Sequence, residues 1–153
     1  MRTLSIILTV VVLTASAGAR ELVSFPTEDG GVVYADVYGR GERGVVLAHG
    51  GPFNKDSWAK QAPVLVTAGF RVVAIDFRGR GRSRGGARAS SLSSDEGYRF
   101  DVLAAVRYLR SKGAKSVSVV GASFGADAAA EASLGWNGIF IESEMARCSE
   151  CIG

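Results

Sequence analysis

The chain contains one histidine and two cysteines in 153 residues, and these scarcities narrow its chemistry early. Both cysteines, Cys148 and Cys151, fall in the last six residues as Cys-Ser-Glu-Cys. A structural zinc site takes about four ligands, and one histidine cannot complete such a set. In an exported chain the pair reads instead as a local disulfide or two free thiols. No metal and no cofactor is expected. No G-x-G-x-x-G follows a strand-like run, which argues against a dinucleotide-binding domain. Excess charge is also scarce: the formal net charge is +3, or +2 once Arg2 is removed with residues 1–19. Arg78, Arg80, Arg82, Arg84 and Arg88 crowd one segment, but only Phe77 interleaves with them. That segment reads as a solvated loop, and nucleic acid is not an expected partner. The chain has no internal repeat, no low-complexity tract and no Asn-x-Ser/Thr glycosylation site. A run of apolar residues long enough to span a bilayer comfortably is missing as well. Leu4 to Leu13 is short, follows Met1-Arg2, and ends at Ala15-Ser-Ala17 and Ala17-Gly-Ala19, so residues 1–19 read as a secretory signal peptide. The mature protein is therefore expected to be exported, periplasmic or secreted, with no stable membrane span.

What is present suits one globular domain. Hydrophobic residues make up 47% of the chain, enough for a core. Glu21 to Phe25 and Gly31 to Tyr38 alternate apolar and polar residues around Glu28-Asp-Gly-Gly31 and predict an antiparallel hairpin. Gly44 to Ala48 and Arg71 to Ile75 are continuous apolar runs of the kind shown by strands buried on both faces. Between them Asp56 offers a helix N-cap, and Trp58, Ala62 and Leu65 recur at helical spacing; Pro63 suits a first turn, which puts the helix proper near residue 62. A long Gly/Arg/Ser loop runs to about Ser94. Ser93-Ser-Asp-Glu96 is a capping box for a helix whose apolar face is Tyr98, Val102, Ala105 or Val106, and Leu109, closed by Gly113. From residue 44 the order is β, α, β, α, β, α, which means a parallel sheet covered on both faces. Trp136 to Ile141 reads as one more strand, and Glu142 to Gly153 has no clear period.

The third strand of that alternation, Ser116 to Val120, runs into Gly121-Ala-Ser-Phe-Gly125 and then an alanine-rich helix. Strand, sharp turn and helix with a serine at the apex make a nucleophile elbow, in which small residues two positions either side let the backbones approach. Gly121 and Gly125 meet that need. Ser123 is the nucleophile this pattern nominates. The first free N–H groups of the following helix point to where charge develops on an attacked carbonyl.

With these pieces in place the chain resembles the α/β-hydrolase family over roughly residues 21 to 134. Three motifs carry the resemblance, in the family's order: His49-Gly-Gly-Pro52 after the third strand, Asp76-Phe-Arg-Gly-Arg-Gly-Arg-Ser83 after the fourth, and Gly121-Ala-Ser-Phe-Gly125. The resemblance implies the N-terminal part of an α/β-hydrolase fold, a mostly parallel sheet with an N-terminal antiparallel hairpin, occupying residues 20–134. It implies hydrolysis of an ester or acyl bond in a small-molecule substrate, with Ser123 as nucleophile. The oxyanion would be held by the backbone N–H of Phe124 and by that of Gly51, since Pro52 has none. Gly50 would permit close approach there, and His49 would support the turn rather than act as base.

The departure from the family is on the C-terminal side. The order for this fold is Ser, then Asp or Glu, then His, and no histidine follows Ser123. Glu142 is the one downstream acid that suits, and only weakly. Asp76, Asp101 and Asp127 read as capping or surface residues. The expectation is therefore a domain cut short after the elbow helix or shifted out of frame near residue 134, with residues 135–153 a divergent tail. A sheet ended there would leave an open edge and an aggregation-prone chain. The competing expectation is a catalytically inactive hydrolase-like fragment or an anion-binding module that uses the arginines from 78 to 88.

Overall fold

The computed structural model describes residues 19–86, 94–134 and 140–141. The leader up to residue 18, Arg88, the capping-box side chains, Trp136, Glu142 and both cysteines lie outside the described residues.

Among the described residues six strands form one sheet: β1 (Arg20–Pro26), β2 (Val32–Tyr38), β3 (Arg43–Ala48), β4 (Phe70–Asp76), β5 (Ser116–Gly121) and the two-residue β6 (Phe140–Ile141). Their spatial order is β1-β2-β4-β3-β5-β6. β1 pairs with β2, and β2 with β4, antiparallel; β4, β3, β5 and β6 run parallel to one another. The helices α1 (Gln61–Thr67), α2 (Ser94–Ser111) and α3 (Phe124–Leu134) accompany it, with a 3₁₀ turn at Lys55–Trp58.

Side chains alternate between the two faces of a strand, and the core divides accordingly. On one face Val46, Ala48, Val73, Ile75, Val117 and Val119 pack under Val102, Val106 and Leu109 of α2 and Ala128, Ala129 and Ala132 of α3. On the other, Val45, Leu47, Val72 and Ala74 pack under Ala62 of α1, with Trp58 and Leu65. Each fully buried valine or leucine contributes about 1.5–3 kcal/mol by leaving water, so the unbroken apolar runs of β3 and β4 hold two helical layers at once.

The hairpin, the two buried strands and the α2 face follow the sequence pattern. α2 is buried more widely than one stripe, continuously from Asp101 to Val106, because it is wedged between the sheet and α3. The cap of the first helical segment differs from expectation. Asn54 is the N-cap, its side chain accepting the Asp56 N–H at 2.9 Å, and it opens a separate 3₁₀ turn rather than α1. Asx side chains compete well for such N–H groups, and Asn54 is two residues better placed than Asp56. Pro63 falls in the first turn of α1, where its missing N–H goes unused.

The connectivity positions everything that follows. The chain leaves β3, crosses through α1 on one face to β4, then returns through α2 on the other face to β5 on the far side of β3. β3 and β5 therefore flank the point where the winding reverses, the place at which open α/β sheets form a crevice beyond their strand ends.

Candidate active site

Two turns meet at that crevice. In register Ala48 pairs with Gly121, so β3 ends into His49-Gly-Gly-Pro52 beside the point where β5 ends into Ala122 and Ser123. The Ala122 N–H donates to the Ala48 carbonyl at 3.0 Å, tying the elbow to the end of β3. Ser123 has φ +49°, the one non-glycine residue in the left-handed region among those described. It is exposed, and its carbonyl accepts the Ala126 N–H at 2.7 Å as α3 begins. A Cβ on Gly121 would lie 2.3 Å from the Gly125 carbonyl oxygen, and one on Gly125 would lie 2.4 Å from that of Ala48. These are the two places where the elbow excludes any larger residue.

His49 is 1% exposed. Its Nε2 accepts the Phe77 N–H at 3.2 Å, which leaves Nδ1 protonated and donating to the Gly50 carbonyl at 2.7 Å. Both nitrogens are occupied, so the ring has none free to take a proton from Ser123. Burial, the largest cause, pushes its pKa below the usual value, and the Arg80 charge adds to the depression against the opposing pull of the Gly50 carbonyl and Asp76.

A pocket of about 240 Å³ opens here, lined by His49, Gly51, Phe77, Arg78, Arg80, Tyr98 and Phe124. Gly51 and Phe124 thus share one wall system, although they are 73 positions apart in sequence. The interior is aromatic: Phe77 meets His49, Tyr98 and Phe124 edge-on with ring centres 5.0, 5.5 and 5.2 Å apart, and Tyr98 meets Phe124 at 4.4 Å. Such edge-to-face pairs add about 0.5–1.5 kcal/mol each beyond area burial, enough to hold the walls in one arrangement.

The loop after β4 is solvated at Arg80, Arg82 and Arg84, as the sequence suggests, but Arg78 turns inward. Half-buried Arg78 is held between two carboxylates: Nη1 donates to Asp29 Oδ2 at 2.6 Å, Nη2 to Asp101 Oδ1 at 2.7 Å, and its own backbone N–H to Asp101 Oδ2 at 2.8 Å. Burial alone would lower the Arg78 pKa, but bonds to Asp101 and Asp29 outweigh it and raise it. Burial also works to raise the Asp29 carboxyl, yet Arg78 and Thr27 hold it below its usual range. At Asp101 the balance is reversed, and burial pushes its carboxyl up against the pull of Arg78. Arg82 stacks on the Tyr34 ring at 4.3 Å, and Arg84 joins the sheet through a bridge to Val32. Arg80 alone of this group reaches the pocket without a carboxylate partner among the described residues, its Nη2 donating to the Gly51 carbonyl at 2.5 Å.

The acids follow the same correction. Asp76 and Asp101 are 4% and 0% exposed, not surface residues; Asp76 accepts the Lys55 N–H at 2.8 Å. Asp127 is exposed in the first turn of α3. Sequence reasoning missed the aromatic wall and the Asp29–Arg78–Asp101 cluster. Asp29 is 72 residues from Asp101, and no local spacing signals that pairing; Phe77 was visible only as an aromatic among the arginines, and Tyr98 only as part of the apolar face of α2. Among the described residues no group of three or more His, Cys, Asp or Glu side chains could hold a metal ion.

Comparison with known proteins agrees with this geometry. The sequence model for the alpha/beta hydrolase fold matches residues 44–134. The chain is 39% identical over 111 residues to epoxide hydrolase B of Mycobacterium tuberculosis, covering 71% of this chain and 27% of that protein. It is 37% identical over 92 residues to the bifunctional esterase/perhydrolase of Acinetobacter calcoaceticus, covering 60% and 32%. Among solved structures it is similar to epoxide hydrolase A of Mycobacterium thermoresistibile, with TM-score 0.63 and 31% identity over 75% of this chain and 35% of that one. The chain spans about a third or less of the length of these relatives.

Proposed function

Because the chain belongs to the α/β-hydrolase family, we propose that it carries the nucleophile side of a hydrolase acting on an ester or acyl bond, with Ser123 as the attacking residue. The observation that carries this reading is the left-handed Ser123 exposed at the junction of β5 and α3, next in the chain to Phe124, which lines a pocket together with Gly51. In this reading Ser123 Oγ attacks the carbonyl carbon, the C=O π pair moves onto oxygen, and the Phe124 and Gly51 N–H groups receive that charge. Collapse expels the alcohol or amine and leaves an ester on Ser123, which water then cleaves.

The relatives' names point to both epoxides and esters, and elementary chemistry favours esters for a serine. Serine attack on an epoxide carbon would form an ether, which water does not readily cleave, so the site would be consumed in one turnover. Attack on a carbonyl forms an ester, which can be released. The Oγ proton ends on the departing alcohol or amine, and His49 does not relay it, because both of its nitrogens are engaged elsewhere.

That engagement also favours a second reading, a hydrolase-like domain that binds small molecules without turnover, because an unassisted serine hydroxyl is a poor nucleophile at neutral pH. A fluorophosphonate probe separates the two. Labelling at Ser123, mapped by mass spectrometry and absent from Ser123→Ala, is expected; labelling that does not depend on Ser123 removes the catalytic reading.

A further inference from the structure

The pocket beside Ser123 contains an uneven distribution of charge. Of its two lining arginines, Arg78 is held by two carboxylates. Arg80 has a hydrogen bond to the Gly51 carbonyl and no carboxylate partner among the described residues. Asp29 and Asp101 bond to Arg78, and Asp76 Oδ1 accepts the Lys55 N–H, while no ion pair joins Arg80 to a carboxylate among the described residues. The remaining walls are the rings of Phe77, Tyr98 and Phe124 with buried His49. A guanidinium has five N–H donors in a planar fork that matches a carboxylate, and one bond to a carbonyl leaves most of them free. Arg80's field also reaches the pocket, since after burial, the larger cause, it is the other influence that lowers the His49 pKa.

We propose that this pocket binds small aromatic acids, their ring against Phe77, Tyr98 and Phe124 and their carboxylate on Arg80, so that the ester substrate is one bearing a free carboxylate. The last clause rests on Ser123 being the nucleophile; the binding site does not. A volume of about 240 Å³ lies below the range of roughly 300–1,000 Å³ that holds drug-sized ligands, which limits the occupant to a single ring with a short acidic arm. Aromatic walls contribute affinity for the ring by edge and face contacts. The guanidinium contributes selection for the anion by a charge-assisted bond, roughly twice as strong as a neutral one.

The test is a binding titration of the purified chain with phenylacetate and with its neutral isostere phenylacetamide, read by ligand-observed NMR at fixed ionic strength. Phenylacetate is expected to bind roughly tenfold more tightly or better, and Arg80→Gln is expected to bring the two to within about twofold of each other. Arg80 is exposed, so the substitution leaves the core intact. Arg82→Gln, which removes the same charge from the neighbouring position stacked on Tyr34, is expected to retain the preference. Equal binding of the two ligands by the native chain overturns the proposal, and so does a preference that survives Arg80→Gln or disappears equally in Arg82→Gln. Because the readout is binding, a Ser123 that fails to label with fluorophosphonate would sink the hydrolase reading while this titration still decides the site.

Discussion

Ser123 at φ +49° occupies a conformation that costs an L-residue about 1–2 kcal/mol, because Cβ crowds the following carbonyl. Strain of this kind persists only where its surroundings over-determine it. Here the restraints are the Ala122 to Ala48 bond and the start of α3 at Ser123. The strain belongs to the Cβ and not to the hydroxyl, which separates the two by mutation. Ser123→Gly should therefore be more stable than Ser123→Ala by about 1 kcal/mol in denaturant unfolding, even after the greater freedom of glycine in the unfolded chain is counted. Equal stabilities would mean that the elbow relaxes without its serine. The pattern of residues around Ser123 was readable in advance because a sharp strand-to-helix turn restricts Cβ atoms at fixed offsets, and Gly121 and Gly125 stand at those offsets. The orientation of His49 was not readable, since it depends on the Phe77 N–H, 28 positions away.

At the level of elements, the Arg78 cluster joins three pieces of the fold. Asp29 comes from the β1–β2 hairpin, Arg78 from the loop after β4 and Asp101 from α2. α2 accommodates the guanidinium by having no side chain at Gly97, where a Cβ would lie 2.6 Å from Arg78 Nη1. The cluster anchors Phe77 and Tyr98 on either side of it and so fixes the pocket wall. One cation serves two buried carboxylates, which makes its loss the more damaging. Arg78→Met should cost about 3–5 kcal/mol, the scale for stranding a buried charge. Asp101→Asn should cost less, because it leaves Arg78 paired with Asp29 and removes the carboxylate that burial disfavours most. Urea unfolding followed by circular dichroism measures both, and an Asp101→Asn loss equal to or above that of Arg78→Met would contradict this ordering. Aspartates and an arginine of this kind look in sequence like solvated loop residues; only the return of α2 across the sheet brings them together.

For the whole molecule, the single histidine makes the pH dependence of stability unusually easy to assign. His49 is buried as the neutral ring, and its folded pKa lies below the ordinary value of 6.5. The unfolded chain therefore binds more protons in that range, and stability must rise with pH there. The contribution is fully present above the unfolded pKa and is lost as pH falls through it toward the lower folded value, by at most about 1.4 kcal/mol per pH unit for one proton. Thermal unfolding between about pH 7.5 and pH 5 should show this decline, and His49→Gln should flatten it. A native profile that stays level over that interval would mean that His49 is not held neutral by the fold.

The sequence by itself determined the alternation of strands and helices from residue 44, the two faces of β3 and β4, and the elbow, because each depends on side-chain period or on Cβ clashes between near neighbours in the chain. It also nominated Gly51 and Phe124 as partners of Ser123 through the order of three motifs. The tertiary structure decided what those motifs surround. It occupied both nitrogens of His49, turned Arg78 inward and left Arg80 beside an aromatic pocket without a carboxylate partner among the described residues. Each of these results depends on groups brought together from distant parts of the chain when the winding reverses between β3 and β5, and no local pattern in the chain encodes that meeting.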